Sequence, residues 1–251
     1  MKSRNIHYFI SDIHLSPEKP ELCALFDDFI EKNAYQAKAL YILGDLFDVW
    51  LGDDLMADFE RQIAKTLANL ADSGVAVYLV PGNRDFLLDQ TFAQLAKLTL
   101  LKDPTPIRLY DIDCLLCHGD ALCTEDRLYQ LYRKVVQHPF CRFLFLHLSR
   151  KYRQKIARRL RANSQNYQMK QPQFKLDVTE AGVQHAIQQH PCQMIVHGHV
   201  HRAKHAKHSV NQIRVDRYVL GTWHKTGSVI SIQDKPFFVQ HHVFNQGDVL
   251  I

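Results

Sequence analysis

Tyr8-Phe9-Ile10-Ser11-Asp12-Ile13-His14 is a short, apolar, β-prone run that ends directly in two side chains able to ligate a metal. Four later segments repeat the design. Leu40-Tyr41-Ile42-Leu43 leads into Gly44-Asp45, Val75-Ala76-Val77-Tyr78-Leu79-Val80 into Gly82-Asn83-Arg84-Asp85, Leu115-Leu116-Cys117 into His118-Gly119-Asp120, and Met194-Ile195-Val196 into Gly198-His199-Val200-His201. Such runs read as buried strands. In layered α/β proteins the loops leaving the carboxyl ends of strands gather at one sheet edge, where ligands bind. The clusters can therefore meet in space although they are far apart in sequence. One Asp or His beside a glycine is usually a turn, but five clusters in this order read as a two-metal hydrolytic site. Residues i and i+2 of an extended chain project to one side, so Asp12 with His14, and His199 with His201, are expected to present ligands in pairs. Carboxylate, imidazole and amide donors together suit Mn²⁺, Fe or Zn²⁺ better than Ca²⁺ or a thiolate zinc centre.

Between these strands the apolar period changes to that of helices. Leu22, Leu25, Phe26, Phe29 and Ile30 share one helical face, Phe59, Ile63, Leu67 and Leu70 share another, and Gly74 closes the second helix. Strand and helix alternate, which predicts a sheet covered by helices. After His201 the pieces Ile213 to Leu220, Ser228 to Gln233 and Phe237 to Phe244 are β-rich and are expected to supply a second sheet packed on the first.

At 251 residues the chain can bury a full core, and it has no run of about 18 apolar residues to span a bilayer. The start of the chain does not read as a signal peptide, so a cytoplasmic location is expected. Six irregularly spaced cysteines read as reduced thiols. Cys114-Leu115-Leu116-Cys117-His118 has the form of a haem attachment site, but on a strand positions 114 and 117 face opposite ways. Core cysteines are the better reading.

Charge is unevenly spread. Thirteen of the 31 Lys and Arg residues, and none of the 26 acidic ones, fall between Arg127 and Leu176. An acidic body thus carries a strongly basic insert. Leu128, Leu131, Tyr132, Val135 and Val136 form one helical stripe there, and Phe140, Phe143, Leu144 and Leu148 begin another. From the residues alone two readings stand: helices that bury these stripes against each other, or a membrane-surface or acyl-binding element. Continuous aliphatics among the basic residues fit lipid better than nucleic acid.

The order D-x-H, G-D, G-N-[HR]-D, H-G-D, G-H-x-H from Asp12 to His201 resembles the binuclear metallophosphoesterase superfamily. Flanking words narrow it: Leu43-Gly44-Asp45-Leu46-Phe47-Asp48-Val49-Trp50-Leu51-Gly52-Asp53-Asp54, Gly82-Asn83-Arg84-Asp85-Phe86-Leu87-Leu88, Arg161-Ala162-Asn163-Ser164 and Leu220-Gly221-Thr222-Trp223-His224 resemble the UDP-2,3-diacylglucosamine hydrolase family of lipid A biosynthesis. The resemblance implies an α/β metallophosphoesterase sandwich of two packed mixed β-sheets flanked by helices. Its core would be residues 1–121 and 165–251, with a helical cap insertion at 122–164 over the active site. One divalent ion, Mn²⁺ by preference, would be held by Asp12, His14, Asp45 and His201, and a second by Asp45, Asn83, His118 and His199. Asn83, Arg84, Asp126, Tyr129, Ser164 and His199 match substrate positions, as do Gln168 and Gln171, where the family has Asn and Lys. The implied reaction is attack of water on the α-phosphate of UDP-2,3-diacylglucosamine, giving UMP and 2,3-diacylglucosamine 1-phosphate. A monomer working peripherally on the anionic inner membrane, without nucleic acid, is the accompanying expectation.

Arg84 bears on the chemistry itself. Many phosphoester hydrolases of this superfamily have His there, a general acid for an alkoxide leaving group. Arginine holds its proton at neutral pH, and a phosphate leaving group with a pKa of about 6 needs none. Pyrophosphate cleavage is thus favoured, with Asp45, Asn83 and Arg84 as the catalytic set. Two competing readings are a soluble nucleotide pyrophosphatase or phosphodiesterase, and a non-catalytic scaffold. The first leaves the greasy insert without a purpose; the second sits badly with an intact ligand set.

Overall fold

The computed structural model describes residues 5–234 and 237–250, and the side chains of 165, 166, 168, 170, 173 and 174 lie outside the described set. The order is β1 (Ile6–Ile10), α1 (Pro20–Lys32), β2 (Ala39–Leu43), α2 (Asp58–Asp72), β3 (Ala76–Val80), α3 (Gln90–Leu95), β4 (Thr99–Leu100), β5 (Thr105–Leu109), β6 (Ile112–Leu116), α4 (Arg127–Gln137), α5 (Pro139–Leu146), α6 (Arg150–Lys170), α7 (Gln173–Leu176), α8 (Glu180–Gln189), β7 (Met194–His197), β8 (Lys204–Val210), β9 (Ile213–Val219), β10 (Gly227–Gln233) and β11 (Phe238–Phe244). One sheet has the order β11-β10-β1-β2-β3-β4 and the other β5-β6-β7-β9-β8, and both mix parallel with antiparallel pairs.

Period-two alternation sorts the strand residues between layers. Tyr8, Ile10, Leu40, Ile42, Val77 and Leu79 pack outward against α1 to α3, while Phe9, Tyr41, Leu43 and Val80 pack inward against Leu116, Met194 and Val196 of the second sheet. Leu115 and Ile195 face the far side, under Val183 and Ile187 of α8. Helices thus cover both outer faces of a two-sheet sandwich. Cys114 belongs to the layer between the sheets and Cys117 to the layer under α8, so the two thiols do face apart.

The β-rich tail departs from expectation: it does not form the second sheet by itself. β10 pairs antiparallel with β1, Phe9 opposite Ile230, and carries β11 with it, whereas β9 pairs parallel with β7, Val196 opposite Tyr218. Ile230 and Ile232 can then enter the layer between the sheets, and Trp223, 1% exposed at the crossing, packs on Phe29 and Phe244. Because β1, β2 and β3 run parallel, and β6 runs parallel to β7, the five clusters leave their strands at carboxyl ends.

The basic insert forms α4 to α7, but α4 and α5 do not bury their stripes against each other. Leu128, Leu131, Phe140 and Phe143 are each more than half exposed.

Candidate active site

The five loops bring all seven expected ligands together. Asp12, His14 and His201 place ligand atoms within 4.8 Å of one another, and so do Asp12, Asp45 and His118. Asn83 Oδ1 lies 2.9 Å from His118 Nε2 and 3.0 Å from His199 Nδ1. Asp45 stands between the groups, with its carboxylate oxygens 3.8 Å from His14 Nδ1 and 3.7 Å from His118 Nε2. The pairing of Asp12 with His14 and of His199 with His201 has a different cause from the extended chain expected. Asp12, His14, Asp45, His199 and His201 all have positive φ, between 53° and 70°, so the backbone turns at each ligand. Left-handed backbone costs a non-glycine residue about 1–2 kcal/mol, and such strain gathers at functional sites.

Neighbouring backbone holds these turns. Asp12 N donates to Gly44 O at 3.1 Å, His14 N to Asp45 O at 3.0 Å and Leu15 N to Leu46 O at 2.8 Å, so the first two ligand loops zip together. Buried Asp85 accepts from Gly82 N at 2.7 Å and Leu46 N at 2.8 Å, and more loosely from Asp45 N and Phe47 N. Its carboxylate therefore locks the second loop to the third. Close approach explains the glycine before Asn83: a Cβ on Gly82 would stand 2.3 Å from Asp45 Oδ1.

The donors fit divalent cations. Asp12 Oδ1 and His14 Nδ1 are buried with no hydrogen-bond partner, which is costly unless an ion engages them. Burial drives the Asp12 carboxyl up, but the neighbouring imidazoles of His201, His118 and His14 outweigh it and hold it below the usual range. Burial pushes the Asp45 carboxyl up; His118 opposes this, while Asp85 and Asp12 reinforce it. Burial lowers His14 to about 3 and His199 to about 4, so both imidazoles are neutral at pH 7 with lone pairs free to ligate.

A cleft of about 1080 Å³ opens beside this centre. Asn83 and Arg84 line it, and Leu128, Tyr132, Val135, Phe145, Ile156 and Leu160 of the insert give it an apolar wall. The Arg84 amide donates to Asp45 Oδ1 at 2.8 Å, and among the described residues no carboxylate forms a salt bridge with its guanidinium. Tyr129 and Ser164 also line the cleft. The Tyr129 ring stacks on His199, and its hydroxyl donates to Asp120 Oδ2 at 2.7 Å. Asp126 caps α4 through Tyr129 N at 3.0 Å and accepts from the Tyr167 hydroxyl at 2.9 Å. Gln171 is half-buried and, among the described residues, does not line the cleft. Gln168 lies outside the described side chains.

Comparison with known proteins agrees with this geometry. The model of the calcineurin-like phosphoesterase family matches residues 8–203. A UDP-2,3-diacylglucosamine hydrolase of Aeromonas hydrophila is 43% identical over 222 residues, covering 88% of this chain and 92% of the relative. One from Neisseria meningitidis serogroup B is also 43% identical, covering 86% of this chain and 89% of its own. The chain belongs to the calcineurin-like phosphoesterases, in the UDP-2,3-diacylglucosamine hydrolase family. A solved archaeal phosphodiesterase aligns with 95% of this chain and 99% of its own at 11% identity and a TM-score of 0.47, a distant likeness.

In this phosphoesterase several residues tie the insert to the ligand loops without any motif to announce them. Arg133 on α4 donates to Asp120 Oδ2 at 2.8 Å and Asp103 Oδ2 at 2.7 Å, and Asp103 Oδ1 accepts from the backbone N–H of candidate ligand His118 at 3.0 Å. Arg161 pairs with Asp48, beyond the second ligand loop. Arg153, one of the thirteen basic residues of the insert, is not available to a surface partner: it is 4% exposed and bound to Asp54. Only a partner loop about a hundred residues away reveals that. His208, on β8, has its side chain 7% exposed and paired to Glu180.

Proposed function

We propose that this protein hydrolyses the pyrophosphate bond of UDP-2,3-diacylglucosamine, with water attacking the α-phosphate to give UMP and 2,3-diacylglucosamine 1-phosphate. The observation that supports this reading is the cleft, which joins Arg84 and Asn83, the residues proposed to bind phosphate, to an apolar wall suited to acyl chains. A soluble nucleotide would leave that wall wet. Asp12, His14, Asp45 and His201 would hold one divalent ion, and Asp45, Asn83, His118 and His199 the other, with Mn²⁺ favoured by a ligand set rich in both oxygen and imidazole. Two such ions lower the pKa of a water and neutralise phosphoryl oxygens.

The remaining work falls to the chain. Arg84 donates to the phosphate oxygens, orients the α-phosphate and balances the charge gathering on the leaving phosphate. No general acid is required, because the sugar phosphate leaves as a stable anion. Tyr129, Asp126 and Ser164 would meet the glucosamine headgroup, and Gln168 and Gln171 are proposed to extend those contacts. The helices of 122–164 serve as the cap, excluding water from the acyl chains. Turnover in ¹⁸O water should place the label in UMP; label in the acylated sugar phosphate would reverse the regiochemistry and sink this reading of the leaving group.

The substrate resides in a bilayer, so the proposal extends to peripheral docking of a monomer on the anionic inner leaflet. No described helix is long and apolar enough to cross a membrane. Arg150, Lys151, Lys155 and Arg159 are exposed, and a basic residue near such a surface contributes about 1 kcal/mol. Exchanging these four for Glu should weaken binding to anionic vesicles at low salt. Unchanged binding would remove docking from this helix.

A further inference from the structure

Behind the Gly198-His199-Val200-His201 loop lies a polar chain that the ligand set does not use. His197, at the end of β7, has 0% exposure; its Nδ1 is 2.9 Å from Gly198 O and its Nε2 is 3.1 Å from Arg217 Nη1. Arg217, on β9 and 7% exposed, gives its Nε–H to His208 Nε2 at 3.0 Å, and His208 Nδ1 is 2.9 Å from Glu180 Oε2. A guanidinium has five donors and no acceptor. Both Nε2 atoms facing Arg217 must therefore accept, which makes both imidazoles neutral and puts each ring proton on Nδ1. His197 then donates to the Gly198 carbonyl, and His208 donates to Glu180.

The Gly198 peptide is the hinge of the ligand loop. Gly198 N donates to the carbonyl of ligand His118 at 2.8 Å, and the next amide, His199 N, donates to Asp12 Oδ2 at 2.8 Å. Gly119, at φ 115°, presses on the same unit from the His118 loop: a Cβ there would lie 2.6 Å from His197 Nδ1 and 3.1 Å from Gly198 O. The imidazole is thus wedged between two ligand-bearing loops, and a turn of its ring would move both. We propose that Arg217 is a positioning residue for the metal centre: by holding His197 as its Nδ1–H tautomer it fixes the Gly198 carbonyl, and through it the turn that presents His199 and His201. This rests on the metal-centre reading above.

The test is Mn²⁺ titration of the chelator-stripped, full-length protein, followed by the electron paramagnetic resonance of free Mn²⁺, with circular dichroism and the melting of the metal-free protein alongside. Arg217→Met should fold and bind Mn²⁺ about 10-fold or more weakly, the scale seen when outer-shell partners of metal ligands are removed. Arg217→Lys, able to reach one imidazole, should fall between Arg217→Met and wild type. A variant that melts lower but binds Mn²⁺ as tightly as wild type overturns the proposal. Should Arg217→Met fail to fold, the ring ¹⁵N resonances of His197 in the wild-type protein decide: an unprotonated Nε2 supports the proposal, and a protonated Nε2 overturns it. Wild-type protein that binds no Mn²⁺ refutes the metal centre instead, a separate and distinguishable failure.

Discussion

Arg153→Met should loosen α5 and α6 while leaving the sandwich folded. All five N–H donors of this guanidinium are engaged: Nε to Leu148 O at 2.9 Å, Nη1 to Leu51 O at 2.9 Å and Asp54 Oδ1 at 2.7 Å, and Nη2 to Asp54 Oδ2 at 2.9 Å and to Leu146 O. The bonds join the end of α5 and the start of α6 to the 51–54 loop of the core. Methionine fills similar space and supplies no donor. Removing one partner of a buried ion pair costs about 3–5 kcal/mol, but the Asp54 side chain is 57% exposed and screened, so the lower end, about 3 kcal/mol, applies. Asp54→Ala should cost about 1 kcal/mol or less, because the three carbonyls still hold the arginine. Hydrogen exchange read peptide by peptide should show α5 and α6 opening about 100-fold more often in Arg153→Met, with β1 to β3 unchanged. KM for acylated substrate should rise as the apolar wall becomes mobile. Equal effects of the two substitutions, or exchange in α5 and α6 like that of wild type, would refute Arg153 as the fastening of these helices to the core.

Further outcomes follow from the centre and the core. Asp45→Ala should abolish turnover and weaken Mn²⁺ binding at both sites in a titration, since its carboxylate lies between the two groups of ligands; loss at one site alone would disprove bridging. Arg84→His should lower kcat/KM for the pyrophosphate substrate by about 100-fold, the scale of losing one charge-stabilising donor, and recovered activity would show that a proton is needed after all. His7, buried and close to Lys38, is lowered from 6.5 to about 4. Its folded value lies below its unfolded value, so the unfolded chain takes up the proton first and stability falls from pH 6.5 towards pH 4. Between pH 7 and pH 5 this amounts to about 2 kcal/mol, which His7→Gln should remove in urea denaturation; an equal pH slope in both proteins would contradict it.

The residues of the centre were legible in the sequence because the signals are local. An apolar run ending in Gly-Asp or Gly-His-Val-His needs nothing beyond its own neighbours to read as a strand delivering ligands, and the donor chemistry of Asp12, His14, Asp45, Asn83, His118, His199 and His201 travels with the residue types. The sheet-facing alternation of Tyr8, Phe9 and Ile10 was legible for the same reason. The left-handed backbone at five ligands was not, since it is imposed by hydrogen bonds to loops from other strands. β8, with Lys204, His205, Lys207 and His208, shows no apolar alternation because it is an edge strand, and only its pairing with β9 makes it a strand. The division of the tail between two sheets is likewise a matter of which edges β1 and β7 leave open.

Charge divides most sharply along this line. Composition shows that Arg127 to Leu176 is basic and greasy, and a sum of charges treats its members alike. Tertiary structure separates them: Arg133 is paired to Asp103 and Asp120, Arg153 to Asp54 and Arg161 to Asp48, while Arg150, Lys151 and Lys155 stay in water. A guanidinium's partner is set by distance through space, and each of those carboxylates comes from an earlier part of the chain. Local residue order was thus enough to read which side chains carry the chemistry, whereas folding set which basic residues fasten the insert beside the candidate site and which stay in water.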